Sequence, residues 1–169
     1  MGLNNKGQFF SPDLIIAIGV FIFALILFFS ASNAVFYQTD LVNERKDSDE
    51  TAHATLNALL LSSGQPKDWE SASFSDINVY GLVTKNNFIE EKKLVALMSD
   101  LNSSDYVNAK IKLGFGPYDI YLRLLDSSGA EIVGAGNIAF NPKLKLIYER
   151  VAFYESNQVI VQEIVSLPQ

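Results

Sequence analysis

Few residues of this sequence could form a catalytic or metal site. His53 is the only histidine, and it lies in a polar stretch beside Glu50 without a nucleophile next to it. The acids occur in short runs typical of solvated helix faces, and none forms the acid-rich loop with glycine that Ca²⁺ requires. Because the chain has no cysteine, thiolate catalysis and disulfides are excluded. We predict no catalytic residue, no metal site, no cofactor and no enzyme activity.

Two short motifs and the overall charge limit the function further. Gly114-Phe115-Gly116 has neither the third glycine nor the following helix of a dinucleotide-binding loop. Asn102-Ser103-Ser104 is an N-glycosylation sequon, which makes Asn102 a candidate acceptor. The formal net charge is −6, and Lys and Arg are not clustered. Nucleic acid is therefore not expected as a partner, since phosphate binding requires clustered basic residues.

The strongest pattern in the sequence is a long apolar run near the N-terminus. No charged residue occurs between Asp13 and Asp40, and the segment from Leu14 to Phe29 is wholly apolar. Extended to Phe36, the run exceeds the roughly 20 residues that a helix needs to cross a bilayer. Lys6 precedes it and mostly acidic residues follow it, a weak positive-inside bias. We predict one membrane helix, with the bulk of the chain outside.

The start of this helix carries an acid that needs an explanation. Ser11 suits an N-cap, Pro12 suits the first helical position, and Asp13 would lie beside the positive end of the helix dipole. Capping accounts for all three residues. It does not explain why a carboxylate lies at the edge of a lipid-buried segment, where an ionised group needs a partner.

The residues Lys6-Gly7-Gln8, followed by Ser11, Asp13 and the apolar run, resemble archaeal type IV prepilin-like proteins with a class III signal peptide. In that family a short leader ends in Lys-Gly or Arg-Gly before a mature N-terminus that is often Gln. The resemblance implies that a prepilin peptidase cuts after Gly7 and leaves the apolar helix as a filament core. The family's usual acid is the fifth mature residue, whereas Asp13 would be the sixth here.

This resemblance suggests a role for the acid. Cleavage would create a cationic amine at Gln8 in the membrane region, and Asp13 of an adjacent copy would supply the counter-charge. A helix that is apolar on all sides also suits a filament core, because every side meets lipid or another helix. We therefore predict that Gln8 and Asp13 pair between copies during filament assembly.

We divide the chain into four segments. Residues 1–7 are the predicted leader, 8–36 the transmembrane or filament-core helix, 37–61 a helical extension without Pro or Gly, and 62–169 an extracytoplasmic α+β head. The Gly-x-Pro-x-x-Trp segment that begins at Gly64 also resembles the heads of archaeal pilin-like proteins. The predicted fold is a long N-terminal membrane-spanning helix packed against a small head, as in type IV pilins.

Within the head, Phe88 to Leu101 has a helical pattern, with Asn87 and Glu90 as a capping box. The segment Tyr106 to Leu113 is ambiguous, because its alternation favours a strand while the resemblance favours a helix. A period of two then predicts four strands, at Tyr118–Asp126, Glu131–Phe140, Leu144–Tyr154 and Gln158–Val165. Their short connections predict an antiparallel meander.

The resemblance implies a major or minor structural subunit of an archaeal type IV pilus-like surface filament. Such a subunit is a single-pass membrane protein with its head outside before assembly. Its expected partners are copies of itself or other pilins, the prepilin peptidase, membrane lipid and the pilus assembly machinery. Two alternatives stay open. One is a non-polymerising single-pass protein with an extracytoplasmic binding or sensor domain, and the other is a secretory signal peptide cleaved at Ser32-Asn33-Ala34.

Overall fold

The computed structural model describes residues 12–85 and 87–168. Its longest element is helix α1, Pro12–Leu61. The chain divides into two compact units, Met1–Glu44 and Arg45–Gln169, and α1 contributes to both. The prediction that one helix continues without a break from the apolar run to Leu61 is confirmed. This continuity follows from the sequence, because no proline occurs within the helix after Pro12 and Gly19 is its only glycine.

The C-terminal unit (Arg45–Gln169) combines the end of α1 with two shorter helices and six strands. Two single turns of 3₁₀ helix, Trp69–Ser71 and Phe74–Asp76, lie in the segment that follows α1. The remaining elements are β1 Val83–Lys85, β2 Phe88–Ile89, α2 Glu91–Leu101, α3 Tyr106–Lys112, β3 Asp119–Leu125, β4 Glu131–Gly136, β5 Leu144–Tyr154 and β6 Asn157–Leu167. The α+β class is thus confirmed.

The six strands form one mixed sheet in the order β1-β2-β5-β6-β3-β4. Strand β2 runs parallel to β5, and the other neighbours are antiparallel. The predicted four-stranded antiparallel meander is therefore wrong. The hairpins β3–β4 and β5–β6 do form, but β6 pairs with β3 and β4 is left at the edge. Strand β6 is the better central strand because Val159, Val161 and Val165 are buried, whereas β4 carries Gly134 and Gly136.

Two helix predictions have different outcomes. The segment Tyr106 to Leu113 is helical, as the resemblance implies, over Tyr106–Lys112. The predicted capping box is wrong, since α2 begins only at Glu91 and Glu90 makes no side-chain cap. Phe88 instead belongs to β2 and stacks on Phe153 of β5, with ring centroids 5.1 Å apart. Phe88 and Ile89, which the sequence pattern assigns to the first helical turn, are thus part of the sheet.

The core of the C-terminal unit lies between α1 and the inner face of the sheet, with α2 and α3 closing it. From α1 it takes Ala52, Leu56, Leu59 and Leu60. The sheet contributes Ile120, Leu122, Leu124, Ala152, Val159, Val161 and Val165. Helix α2 contributes a stripe of four buried residues, Leu94, Leu97, Met98 and Leu101. Burial of this stripe fixes which side of α2 faces solvent.

The segment between α1 and β1 has little regular structure, but hydrogen bonds from side chains to its backbone carbonyls hold it in place. The Trp69 indole is 1% exposed and donates from Nε1 to the Gly81 carbonyl at 2.8 Å. Lys93 of α2 is also buried, and its ammonium donates to the carbonyls of Ser63 at 2.5 Å and Lys67 at 2.6 Å. These bonds satisfy carbonyls that no sheet or helix would otherwise pair.

Replacing Lys93 with methionine should lower the free energy of unfolding by about 2 kcal/mol, because hydrogen bonds to charged groups contribute about 1.5–3 kcal/mol. Methionine keeps most of the aliphatic stem, so the loss isolates the ammonium group. Urea denaturation of Lys93→Met measures the change. Lys92→Met is the matched control, since Lys92 is exposed and its replacement should leave the unfolding midpoint almost unchanged.

Candidate functional site

The most distinctive surface of this chain is the apolar part of α1. The span Asp13–Asn33 has 21 residues and a mean hydropathy of 3.0, and none of its most apolar window is buried within the structure. Phe21, Ile22 and Phe28 are each at least half exposed. A water-exposed surface of this size would be strongly unfavourable. The span is long and apolar enough to cross a membrane, and a signal sequence near an N-terminus has the same properties.

The predicted processing residues Lys6, Gly7 and Gln8 lie outside the described residues, as does Ser11. Asp13 is described, and it is an exposed acid in the first turn of α1. The structure thus places a carboxylate at the N-terminal edge of the apolar span, as the sequence predicts. Pairing of Asp13 with Gln8 of another copy stays a prediction.

We compared the chain with family models, curated proteins and solved structures. None of them matches it.

The structure describes the residues that the sequence marks as chemically capable, His53 and the Gly114 motif. His53 is exposed, and its ring meets Tyr148 edge-on at 5.5 Å. In residues 12–85 and 87–168, no group of three or more His, Cys, Asp or Glu side chains could hold a metal ion. Gly114 has a φ of 94° directly after α3, where it ends the helix.

A buried carboxyl that the sequence analysis missed lies between α1 and the sheet. Glu163 on the inner face of β6 is 1% exposed, and neither of its oxygens has a hydrogen-bond partner among the described residues. It pairs in register with Leu122 of β3 and Tyr148 of β5. The alternating pattern Val159, Val161, Glu163, Val165 could have revealed it, because an acid at the third of four inward positions must be buried.

The surroundings of Glu163 favour its neutral form. Burial raises the pKa of Glu163 well above its ordinary value. The Tyr148 hydroxyl donates a hydrogen bond to Asp49 of α1. The pKa of Tyr148 is raised mainly by burial and secondarily by this hydrogen bond. The hydroxyl of Ser48, also on α1, is fully buried near Tyr148. We therefore expect Glu163 to be protonated in the folded protein over much of the acidic pH range.

The candidate glycosylation site is accessible. Asn102 is exposed at the C-terminal end of α2, and Ser104, the third residue of the sequon, is exposed as well. The Asn102 Oδ1 accepts a hydrogen bond from the Gly136 backbone N–H at 3.2 Å. This bond uses Oδ1 and does not involve Nδ2, the atom that would carry the sugar. The geometry is compatible with modification, and whether the residue is modified stays a prediction.

We expect a peptide that covers Asn102, released from native material, to carry an added sugar mass. Ser104→Ala should abolish this mass, because the hydroxyl residue is required by the sequon. Ser103→Ala is the matched control, since it alters the middle position and keeps the sequon intact. An unshifted peptide mass in the native protein would exclude glycosylation at this site.

Proposed function

We propose that this chain is a structural subunit, major or minor, of an archaeal type IV pilus-like surface filament. The observation that carries the proposal is the exposed apolar span Asp13–Asn33, which follows the Lys6-Gly7-Gln8 motif and begins with an acid. In this proposal the span anchors the subunit in the membrane before assembly. It then becomes part of the helical core of the filament, while the C-terminal unit lies outside.

The exposure of the span supports this proposal physically. Side chains on all sides of the helix are exposed over residues 13–31, so no side is covered by the chain itself. Lipid would bury this apolar surface before assembly. After assembly, close packing with the equivalent helices of other copies would bury it. In the proposed assembly, the Gln8 amine of an adjacent copy would lie close to the acid at the edge of this span.

The first experiment is to determine the intact mass and N-terminus of the protein from its native membrane or surface fraction. An N-terminus at Gln8 would support processing by a prepilin peptidase. An intact Met1 would favour the non-polymerising membrane protein, and an N-terminus at Val35 would indicate secretion after an ordinary signal peptide. Either of the last two results would contradict the proposal.

The role of the acid can be tested after processing has been established. Asp13→Ala should reduce the number of filaments several-fold while leaving the Gln8 N-terminus unchanged, because the amine would lose its counter-charge. Asp13→Glu keeps the charge and should retain most of the assembly. Electron microscopy of surface filaments and N-terminal sequencing provide the two readouts. Normal filaments from Asp13→Ala would rule out the pairing.

A further inference from the structure

The part of α1 that belongs to the C-terminal unit is held less firmly at its start than at its end. Among the described residues of α1, Ser48 is the first that is buried, and Ala52, one turn later, buries only a methyl group. Thr55 Oγ1 then donates to the Leu113 carbonyl at 2.7 Å. The leucines that α1 buries in the core come after Thr55: Leu56, Leu59 and Leu60. Residues 48–54 are therefore the part of the docked helix that is easiest to release.

Glu163 of β6 lies beneath these weakly held turns. Its register partner on β5, Tyr148, donates a hydrogen bond to Asp49 of α1. Two positions further along β5, Arg150 lines the same cavity as Leu56 of α1. Helix α1 therefore passes over Glu163 before it reaches the part of the sheet that its leucines cover. Neither carboxyl oxygen of Glu163 has a hydrogen-bond partner among the described residues, although the side chain is buried.

The sheet around Glu163 is harder to open than the helix that covers it. Strand β6 pairs with β5 on one side and with β3 on the other, so Glu163 is flanked by Tyr148 and Leu122. Exposing its carboxyl through the sheet would break the backbone hydrogen bonds of both ladders. Exposing it by moving residues 48–54 breaks the hydrogen bond between Tyr148 and Asp49 and uncovers little apolar surface. Water therefore reaches this carboxyl most readily from the α1 side.

The charged groups of α1 and β5 nearest to Glu163 do not neutralise it. Asp49 is an acid, and it already accepts the hydrogen bond from the Tyr148 hydroxyl. His53 is exposed, and its ring centroid lies 5.5 Å from that of Tyr148. Arg150 is the next inward residue of β5, and it lines a surface cavity beside the later turns of α1. An ionised Glu163 would thus lie near an acid, without a paired cation from the described residues of these two elements.

The other elements around Glu163 give it no counter-charge in the part of the chain that the structure describes. Strand β3 faces it with Leu122, whose inward neighbours on that strand are also apolar. The lysines of α2 and α3 that are not exposed have other partners, which are backbone carbonyls or Asp119: Lys93, Lys110 and Lys112. Burial is accordingly the cause of the raised pKa of Glu163. A buried carboxylate in these surroundings is strongly unfavourable, and hydration relieves it.

We propose that Glu163 is a proton-dependent switch for the docking of α1. The neutral carboxyl lets residues 48–54 pack against the sheet, and its ionisation releases them, so that water hydrates the carboxylate. A rise in pH thereby moves the point at which α1 leaves the sheet from Ser48 to Thr55, which is about two helical turns. The hydrogen bond and the leucines described above hold α1 from Thr55 onward, so the release stays local. The inference goes beyond the proposed function and does not depend on it.

Thiol labelling of the full chain in detergent micelles tests this switch, since the chain has no native cysteine. Ser48→Cys places a thiol at a fully buried position, and its reaction with dithiodipyridine requires release of α1. The rate is compared with that of Ser48→Cys, Glu163→Gln at each pH, so that the reactivity of the thiol itself cancels. The ratio of the two rates should increase at least about tenfold from about pH 4.5 to about pH 8. It grows about tenfold for each pH unit between the pKa values of the released and the docked carboxyl.

Local release is distinguished from unfolding of the whole unit by the size of the effect. The open fraction is the labelling rate of Ser48→Cys divided by its rate in urea-unfolded protein, and urea denaturation of the same variant gives the fraction unfolded. At about pH 8 the open fraction should exceed the unfolded fraction at least about tenfold. Glu155→Gln is the matched control, because it removes an exposed acid in the β5–β6 turn and should leave the labelling rate unchanged.

An unchanged rate ratio across the pH range would overturn the switch. Equal open and unfolded fractions would overturn it too, since the carboxyl would then act only through complete unfolding. Trypsin gives a second readout that needs no cysteine, because Arg45 and Lys46 are exposed just before Ser48. At about pH 8, cleavage after these two residues should be several-fold faster in the wild type than in Glu163→Gln. Equal cleavage of the two proteins would contradict the switch.

Discussion

Glu163→Gln is expected to stabilise the protein progressively as the pH rises. Burial raises the pKa of this carboxyl in the folded state above its ordinary value of 4.5. Below about pH 4.5 the carboxyl is neutral in both the folded and the unfolded state, so its ionisation does not lower the free energy of unfolding. As the pH rises from there through the folded-state pKa, the unfolded state is increasingly favoured, because only it can ionise without cost. Between the two pKa values the loss approaches about 1.4 kcal/mol for each pH unit. Glutamine has nearly the same shape and cannot ionise, so the variant should escape this loss.

Urea denaturation of both proteins at a series of pH values measures this effect. The difference in free energy of unfolding should be small near pH 4 and should increase towards a plateau at higher pH. All other ionisable side chains are the same in both proteins, so their contributions largely cancel in the difference. Glu155→Gln is the control, because Glu155 is exposed in the β5–β6 turn. A pH-independent difference for Glu163→Gln would show that folding leaves the pKa of this carboxyl unchanged, as for a solvated group.

Gly81→Ala is expected to destabilise the C-terminal unit by about 3 kcal/mol or more, at the upper end of overpacking effects. A Cβ at this position would overlap the Gly64 backbone nitrogen and the Ser62 carbonyl oxygen. These are backbone atoms at the end of α1, so no side chain can rotate to make room. The Gly81 carbonyl also accepts the Trp69 indole N–H, and any shift of the backbone would break that bond.

Thermal and urea unfolding of Gly81→Ala measure this cost. Gly116→Ala is the matched control, because no atom lies within 4 Å of the added Cβ there. We expect the control to unfold within about 0.5 kcal/mol of the wild type, as most surface substitutions do. Equal stability of the two variants would mean that the segment after α1 can move away from Gly81.

The sequence predicts those elements whose pattern is local. The apolar run and the uninterrupted residues after it predict α1, and strict alternation predicts β5 with the same bounds, Leu144–Tyr154. The stripe of leucines in α2 is also local, because its spacing is that of one helix side. The predicted C-terminal end of β4 at Phe140 is wrong. The strand ends at Gly136, whose φ of 108° is incompatible with its continuation.

Features that depend on distant residues could not be predicted. Strand β2 exists because Phe88 meets Phe153, far along the chain, and a two-residue strand has no period of its own. The position of β6 between β3 and β5 likewise depends on which strand pairings are the more stable, and these pairings join residues far apart in the sequence. An open groove between α2 and the segment Trp69–Ile77 is lined by residues of both, so no local spacing of residues indicates it. The sequence motif at Lys6-Gly7-Gln8 can be recognised only by resemblance, and it lies outside the described residues.

The order of the strands has a further consequence for the behaviour of this unit at high protein concentration. The longest strands, β5 and β6, are paired on both sides, whereas the sheet ends on β1, with three residues, and on the glycine-containing β4. Short edges offer few free backbone groups to a neighbouring chain and so discourage amyloid-like pairing. Contacts between copies would then form through side chains, which separate more readily than paired strands do.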